Sequence, residues 1–554
     1  LKNMSSNPIR TSAKVQPLRG PAPDLQDKEG AQTSGPGFLA RSVALHLAGK
    51  RDEALKQLQR AIAANEASPE IYRAMGHIQF ELADYKEAAK SYRALTQIKP
   101  QYSMGWFNLA VCLERLGSWE EAAEAFGKAS TLDPAHLDAH LGLGVCHLRL
   151  EDPKSALFSF EHCLAAAPQH EDAMFGKAAA LQSLDHADEA AAIYQKIIER
   201  NPDSEESLAN LVLIGMSKED FDMVREYSER LLELKPESTV ALEGLAAWAA
   251  ASDEHALTAK FCNLLVTAVP GHFEAWFNLA LAHQKSGRWQ PAAEAYQEAI
   301  KLRSQSSEAH TNLGVVHEQL GDMAAARADY DRAMAAQPDA LAPMWNVALL
   351  LEHAGQYDEA ERWYRQVLER APKEEEARFR MGYLRLKRED FRGAVEAFEG
   401  CLKYRPYWPE AQANLALAYS GLGDKEHAER LYDKMIESDP KSVDALRGLA
   451  ALAIQAGDFS TALEHHVRLI DLGERSPEIM YNAGLMYEKA DQPDKAVRLY
   501  RDALALQPDM PEALLNLGRI LDATGKSEEA RTCWSKALEA EPALAQGYFG
   551  PMID

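Results

Sequence analysis

The chain has 554 residues, 46% of them hydrophobic and 26% charged, with a formal net charge of −24. No apolar run approaches the roughly 18 to 20 residues needed to span a bilayer, and the negative balance opposes binding to bare nucleic acid. What remains is a chain expected to be soluble, with apolar residues enough for a large core.

Residues 1–34 are rich in Pro, Gly, Ser, Thr and Gln, carry five basic against three acidic residues and show no apolar periodicity. Such a stretch buries too little apolar surface to offset its ordering entropy, so it is expected to be disordered. It also lacks the roughly 7 to 15 residue apolar core of a secretory signal, which favours a cytoplasmic location. The chain opens on Leu1, so this expectation rests on an N-terminus that is open to extension.

From residue 35 a period of 34 residues runs without insertion or deletion for 15 cycles, to residue 544. Each cycle closes on proline: Pro100, Pro134, Pro168, Pro202, Pro236, Pro270, Pro338, Pro372, Pro406, Pro440, Pro508 and Pro542, with only Glu66, Ser304 and Glu474 breaking the row. A fixed period of this size indicates a solenoid and overrides the domain count that length alone suggests.

The third cycle shows the local logic. Trp106, Leu109, Ala110 and Leu113 recur at helical spacing and form one apolar face of a first helix, which Gly117 ends because glycine accepts the left-handed cap. Ala122, Phe126 and Ala129 form the stripe of a second helix, which stops at Pro134. The small residue of the first helix recurs as Gly76, Gly144, Ala280, Gly314, Ala348, Gly382, Ala416, Gly484 and Gly518. A large aromatic recurs in the second helix as Tyr92, Phe160, Tyr194, Tyr296, Tyr330, Tyr364, Phe398, Tyr432, Tyr500 and Trp534.

Residues 112–170 concentrate Cys112, His136, His140, Cys146, His147, Cys163 and His170. His136 and His140 have the i, i+4 spacing of a metal pair. The repeat argues otherwise, because these residues fall on packing positions and the six cysteines show no CxxC spacing. No metal and no cofactor are expected.

Repeats six and seven, at 205–272, depart furthest from the pattern: Val224 and Thr258 stand for alanine, Ser228 and Cys262 for the aromatic, Glu219 and Asp253 for the capping glycine. The region reads either as a hinge or as a local repacking with altered volume. Near the end, Gly525-Lys526-Ser527 lacks the strand and glycine spacing of a phosphate loop. Residues 545–554 are too short for a full capping helix, so Tyr548 and Phe549 fold back as a partial lid or the end is open to self-association.

The pattern W-x2-L-[GA] then A-x3-[FY]-x2-A-x4-P, repeated over 35–544, resembles the tetratricopeptide repeat (TPR). That resemblance implies an all-α solenoid of about 15 helix-turn-helix repeats wound into a right-handed superhelix, with first helices lining a concave groove. It implies a protein that binds other proteins, without catalytic residues. Because units of a solenoid touch mainly their neighbours, no deep substrate pocket is expected.

Two columns would line the groove. Asn108, Asn210, Asn278, Asn312, Asn346, Asn414, Asn482 and Asn516 stand two places after the Trp106 position. They resemble the asparagine ladder of the O-linked N-acetylglucosamine transferase, whose amides would bond an extended backbone. Phe107, Phe175, Phe277, Trp345, Phe379 and Tyr481 precede that column and read as anchors or as helix packing. Arg73, Arg380 and Arg447 do not form the basic clamp of chaperone-binding TPR domains. Acids such as Glu70, Glu274, Glu308, Glu410 and Glu512 suit the helix dipole. The resulting expectation is a scaffold for an extended protein segment, with a basic one favoured by charge. The alternatives are a recruiting arm of an enzyme such as a glycosyltransferase, or an assembly factor in secretion or envelope biogenesis.

Overall fold

The computed structural model of the chain describes residues 37–543, and within them the protein is all-α. Thirty helices fall into 15 pairs among the described residues, from Phe38–Leu47 with Arg51–Ala63 to Pro511–Ala523 with Ser527–Ala540. From the second pair on, first helices begin every 34 residues, at Pro69, Ser103, Leu137 and so on to Pro511. The chain divides after Ala295 into two compact units, each a stack in which a helix packs mainly on its sequence neighbours. The segments 1–34 and 545–554, including the lid proposed for Tyr548 and Phe549, lie outside the described residues.

Both turns of a repeat have a local cause. Between paired helices the chain passes through one left-handed residue, supplied by glycine at Gly117, Gly287, Gly321, Gly355, Gly423, Gly457 and Gly525. Ala83, Glu151, Asp185, Glu219, Asp253, Glu389 and Asp491 hold the same conformation with φ between 54° and 61°. Loss of the capping glycine therefore does not single out repeats six and seven. Between repeats, the proline forces its predecessor into an extended conformation. Where Glu66 and Glu474 replace it, the second helix stops one residue earlier, and left-handed Asn65 (φ 64°) or Gly473 (φ 93°) makes the turn. The Glu66 and Glu474 amides then donate to Ala61 and Leu469 carbonyls at 2.9 and 3.0 Å.

The core follows the Phe126 column. Phe126, Phe160, Tyr194, Tyr296, Tyr330, Tyr364, Phe398 and Tyr500 are fully buried. Each ring sits against the small residue of its own first helix: a Cβ on Gly144 would lie 2.7 Å from Phe160, and one on Gly314 2.5 Å from Tyr330. The next repeat closes the other side, since a Cβ on Gly142 would lie 2.5 Å from Phe126. The ring is thus clamped between two repeats, which is how the stack gains cohesion beyond each helix pair.

Repeat six (Glu205–Ser217, Phe221–Leu234) keeps this volume by exchanging knob and hole. Val212 and Val224 enlarge the two small positions, Ser228 shrinks the aromatic one, and all three are fully buried. Gly244 of the next repeat then lies directly on Ser228 and 2.8 Å, measured from an added Cβ, from Val212.

Candidate functional site

The first helices are buried on two sides and leave one stripe open. In Ser307–Gln319 it runs through Glu308, Asn312, Val315 and Gln319, and in Pro409–Gly421 through Glu410, Asn414 and Leu417. These steps of four and three residues define one helical face. The stripe is built of an acid in the first turn, an amide in the middle and an aliphatic beyond it. Leu417 is 53% exposed, so the apolar row is open to contact.

The asparagines divide into three groups. The Asn516 amide donates to the Tyr481 hydroxyl of the preceding repeat at 3.1 Å. Asn108 is only 8% exposed, and its Oδ1 has no partner. Asn210, Asn278, Asn312, Asn346, Asn414 and Asn482 show no side-chain hydrogen bond among the described residues, and Asn278 is exposed. A column that reads as uniform in sequence is, at Asn516, a clasp on a tyrosine.

The aromatics before that column pack edge to face on the Phe126 column of their own repeat. Phe107 meets Phe126 at 5.8 Å between ring centroids, Phe175 meets Tyr194 at 5.4 Å, and Trp345 meets Tyr364 at 5.3 Å. Phe379 meets Phe398 at 5.7 Å and stacks on Trp408, while Tyr481 meets Tyr500 at 5.8 Å. Phe107 has no exposed surface, so the reading of this residue as an exposed anchor is corrected: its ring is core. Phe277, Trp345, Phe379 and Tyr481 remain half-buried, with one edge at the stripe.

A half-open groove of about 480 Å³ lies on the stripe between repeats 13 and 14. Its cause is local. His466 stands where other repeats carry the large aromatic, and the smaller ring leaves space beneath Ile454, Leu469 and Ile479. The His466 Nδ1–H donates to the Ala462 carbonyl at 2.7 Å, and burial lowers the imidazole pKa, so the ring is neutral with Nε2 as an acceptor. Arg447, Ser476, Glu478 and Asn482 line the polar part. Arg447 is ion-paired with Glu474, and Arg380 with Glu352 and Glu376, so neither cation is idle.

The cysteine and histidine positions of 112–170 turn out to be packing and capping. Burial pushes the Cys112 and Cys146 thiols up to about 12. His136 and His170 accept the Ala139 and Ala173 amides as helix caps. His140 donates to the Pro134 carbonyl at 3.2 Å. Trp106, Trp276, Arg378 and Gln412 make the same contact six residues back, at 2.6 to 3.0 Å. Sequence reading by size alone missed this shared role; the common signal is an N–H at the tip of each side chain.

Comparison with known proteins gives the following. Models described as tetratricopeptide repeat match residues 241–307, 277–340, 341–384, 385–452 and 487–547, and a model of intraflagellar transport protein 56 matches residues 72–255. No curated protein matches in sequence. Among solved structures, the chain is similar to a tetratricopeptide repeat protein from Parabacteroides merdae at 18% identity, over 45% of this chain and 98% of that one, with a TM-score of 0.34. It is similar to yeast Tom70 at 15% identity over 86% and 96% of the two chains, with a TM-score of 0.33. A third is the structure of Naa15/Naa10 bound to HypK, at 12% identity over 91% and 94%, with a TM-score of 0.34.

Proposed function

Because this chain belongs to the tetratricopeptide-repeat family, we propose that it is an interaction scaffold without catalysis of its own, whose first-helix stripe holds an extended protein segment. The cavity at His466 carries this reading. It lies on the stripe, has apolar and polar lining, and adjoins His466, which stands where most repeats supply an aromatic ring. A side chain of the bound segment would fill that place, with its backbone along Asn482 and Asn414. These amides make no hydrogen bond of their own among the described residues, unlike Asn516, which donates to Tyr481. The exposed row Glu308, Glu410, Asp444, Glu478 and Glu512 favours a basic segment, through attraction that salt weakens.

The test is selection from a random peptide library on the purified chain. Wild type is expected to enrich segments with one aromatic or branched aliphatic side chain among basic residues. His466→Phe fills the cavity from inside and is expected to weaken the selected peptides about tenfold or more, the loss of roughly one buried anchor. The double change Asn414→Ala and Asn482→Ala should weaken them further with helicity unchanged. Equal affinity in all three proteins would remove the stripe as the binding surface.

A further inference from the structure

His46, His77 and Glu81 converge at the junction of the first two repeats, outside every column discussed so far. His46 is the penultimate residue of Phe38–Leu47, and His77 and Glu81 stand one turn apart in Pro69–Glu81. The Glu81 carboxylate is bracketed by the two rings: Oε1 lies 3.4 Å from His77 Nε2, and Oε2 lies 3.8 Å from His46 Nε2. The imidazole centroids are 5.8 Å apart and the rings are crossed at 67°. One ligand atom from each residue falls within 4.8 Å of the other two.

From this arrangement we propose that His46, His77 and Glu81 form a binding site for a divalent transition metal of the zinc class. Zinc takes imidazole nitrogen and carboxylate oxygen at about 2.0 to 2.2 Å, which puts neighbouring ligands of a tetrahedron about 3.3 Å apart. The His77–Glu81 pair already has that spacing, and a small rotation of His46 brings the third ligand in. Two imidazoles and one carboxylate are also a donor set suited to this class of metal rather than to calcium or magnesium.

One further observation fits a ligand rather than a plain ion-pair cluster. Arg51 donates its Nε–H to Glu81 Oε2 at 2.9 Å. That bond orients the carboxylate and leaves Oε1 for the metal, the arrangement by which outer partners fix a ligand in place. The fourth position would face solvent, because Glu81 is exposed, and would take water or a group from a bound protein.

The consequence would be mechanical. The first helix of repeat one has only 10 residues, and among the described residues its pair packs on repeat two. A metal bonded to both first helices would pin that pair to repeat two.

The experiment is calorimetric titration of the full, chelator-treated chain with zinc chloride near pH 7.5, alongside His46→Gln/His77→Gln and Glu81→Gln. One equivalent is expected to bind wild type, weakened about tenfold or more in each variant. Cobalt(II) added to wild type should give the intense visible bands of a four-coordinate site, and these should be absent from the double variant. Circular dichroism of the metal-free proteins keeps folding apart from binding. No uptake by wild type, or equal uptake and equal cobalt spectra in the folded variants, would overturn the site.

Discussion

Repeats six and nine reach the same helical pair by opposite distributions of volume. In repeat nine (Ser307–Gln319, Met323–Ala336) a tyrosine, Tyr330, occupies the aromatic position against Gly314. Its hydroxyl donates to Glu318 Oε1 at 2.6 Å. In repeat six the ring is gone, Val212 and Val224 fill in from the positions that are elsewhere small, and Ser228 stands in the centre with its hydroxyl unpartnered. What the fold preserves is filled volume at native density, not the residue type in each column. Departure from the repeat pattern in repeat six is thus compensated within its packing.

Paired substitutions should separate the two solutions most sharply. Tyr330→Ala empties a full ring and removes the Glu318 carboxylate's partner, so it is expected to cost about 3 to 5 kcal/mol. Ser228→Ala removes a buried hydroxyl that has no partner, so it is expected to stabilise by about 1 kcal/mol. Urea unfolding of the two variants measures both, and hydrogen exchange should confine the Tyr330 effect to nearby repeats. If Ser228→Ala were as damaging as Tyr330→Ala, the exchanged packing of repeat six would be wrong.

A smaller contrast concerns acid. Repeats 10 and 11 are joined by an ionic clasp in which Glu361, buried at 7% exposure, takes Arg385 at 2.8 Å and also Arg388, which reaches Asp358 as well. Burial opposes ionisation of Glu361, but the two guanidiniums outweigh it and hold its carboxyl below the ordinary value. A depressed carboxyl pKa means stability that is fully present above the unfolded value of about 4.3 and is lost as pH falls through the folded one. The equivalent positions of repeats six and seven are Arg225 and Ala259, with no buried carboxylate. Hydrogen exchange should therefore show 357–402 losing protection below about pH 4 before 205–268 does. Glu361→Gln should flatten that acid dependence, and an unchanged profile in this variant would assign the acid response to other groups.

Much of this was legible because the period multiplies each signal. Helix pairs, their boundaries and the aromatic core come straight from columns repeated more than ten times in register. The groove columns were legible only as columns. Whether Asn516 is free or tied to Tyr481 depends on the residue 35 positions earlier, in the preceding repeat, and reading repeats one at a time does not pair those positions. Phe107 and Phe277 look alike in sequence, yet one is sealed and the other half-open, because burial is set by neighbours across the repeat junction. The cavity at His466 was visible as a gap in the aromatic column, but its size depends on Ile454 and Ile479 not closing over it. The His46, His77 and Glu81 cluster joins two repeats at non-equivalent positions, so periodicity conceals it.

The least effect expected comes from the turns, where the two regions differ by one Cβ. Repeat nine turns on Gly321 at φ 82°, and repeats six and seven turn on Glu219 and Asp253 at φ 56° and 55°. A side chain in the left-handed region costs roughly 1 to 2 kcal/mol, while glycine gives back part of that through its freer unfolded chain. Glu219→Gly and Asp253→Gly should each stabilise by about 0.5 to 1 kcal/mol, and Gly321→Ala should destabilise by a similar amount. Opposite signs in the two regions, read from thermal or urea midpoints, are what a shared turn geometry requires. If Glu219→Gly destabilised instead, the glutamate side chain would be doing work at that turn beyond closing it, and repeat six would differ from repeat nine in its turn as well as in its core.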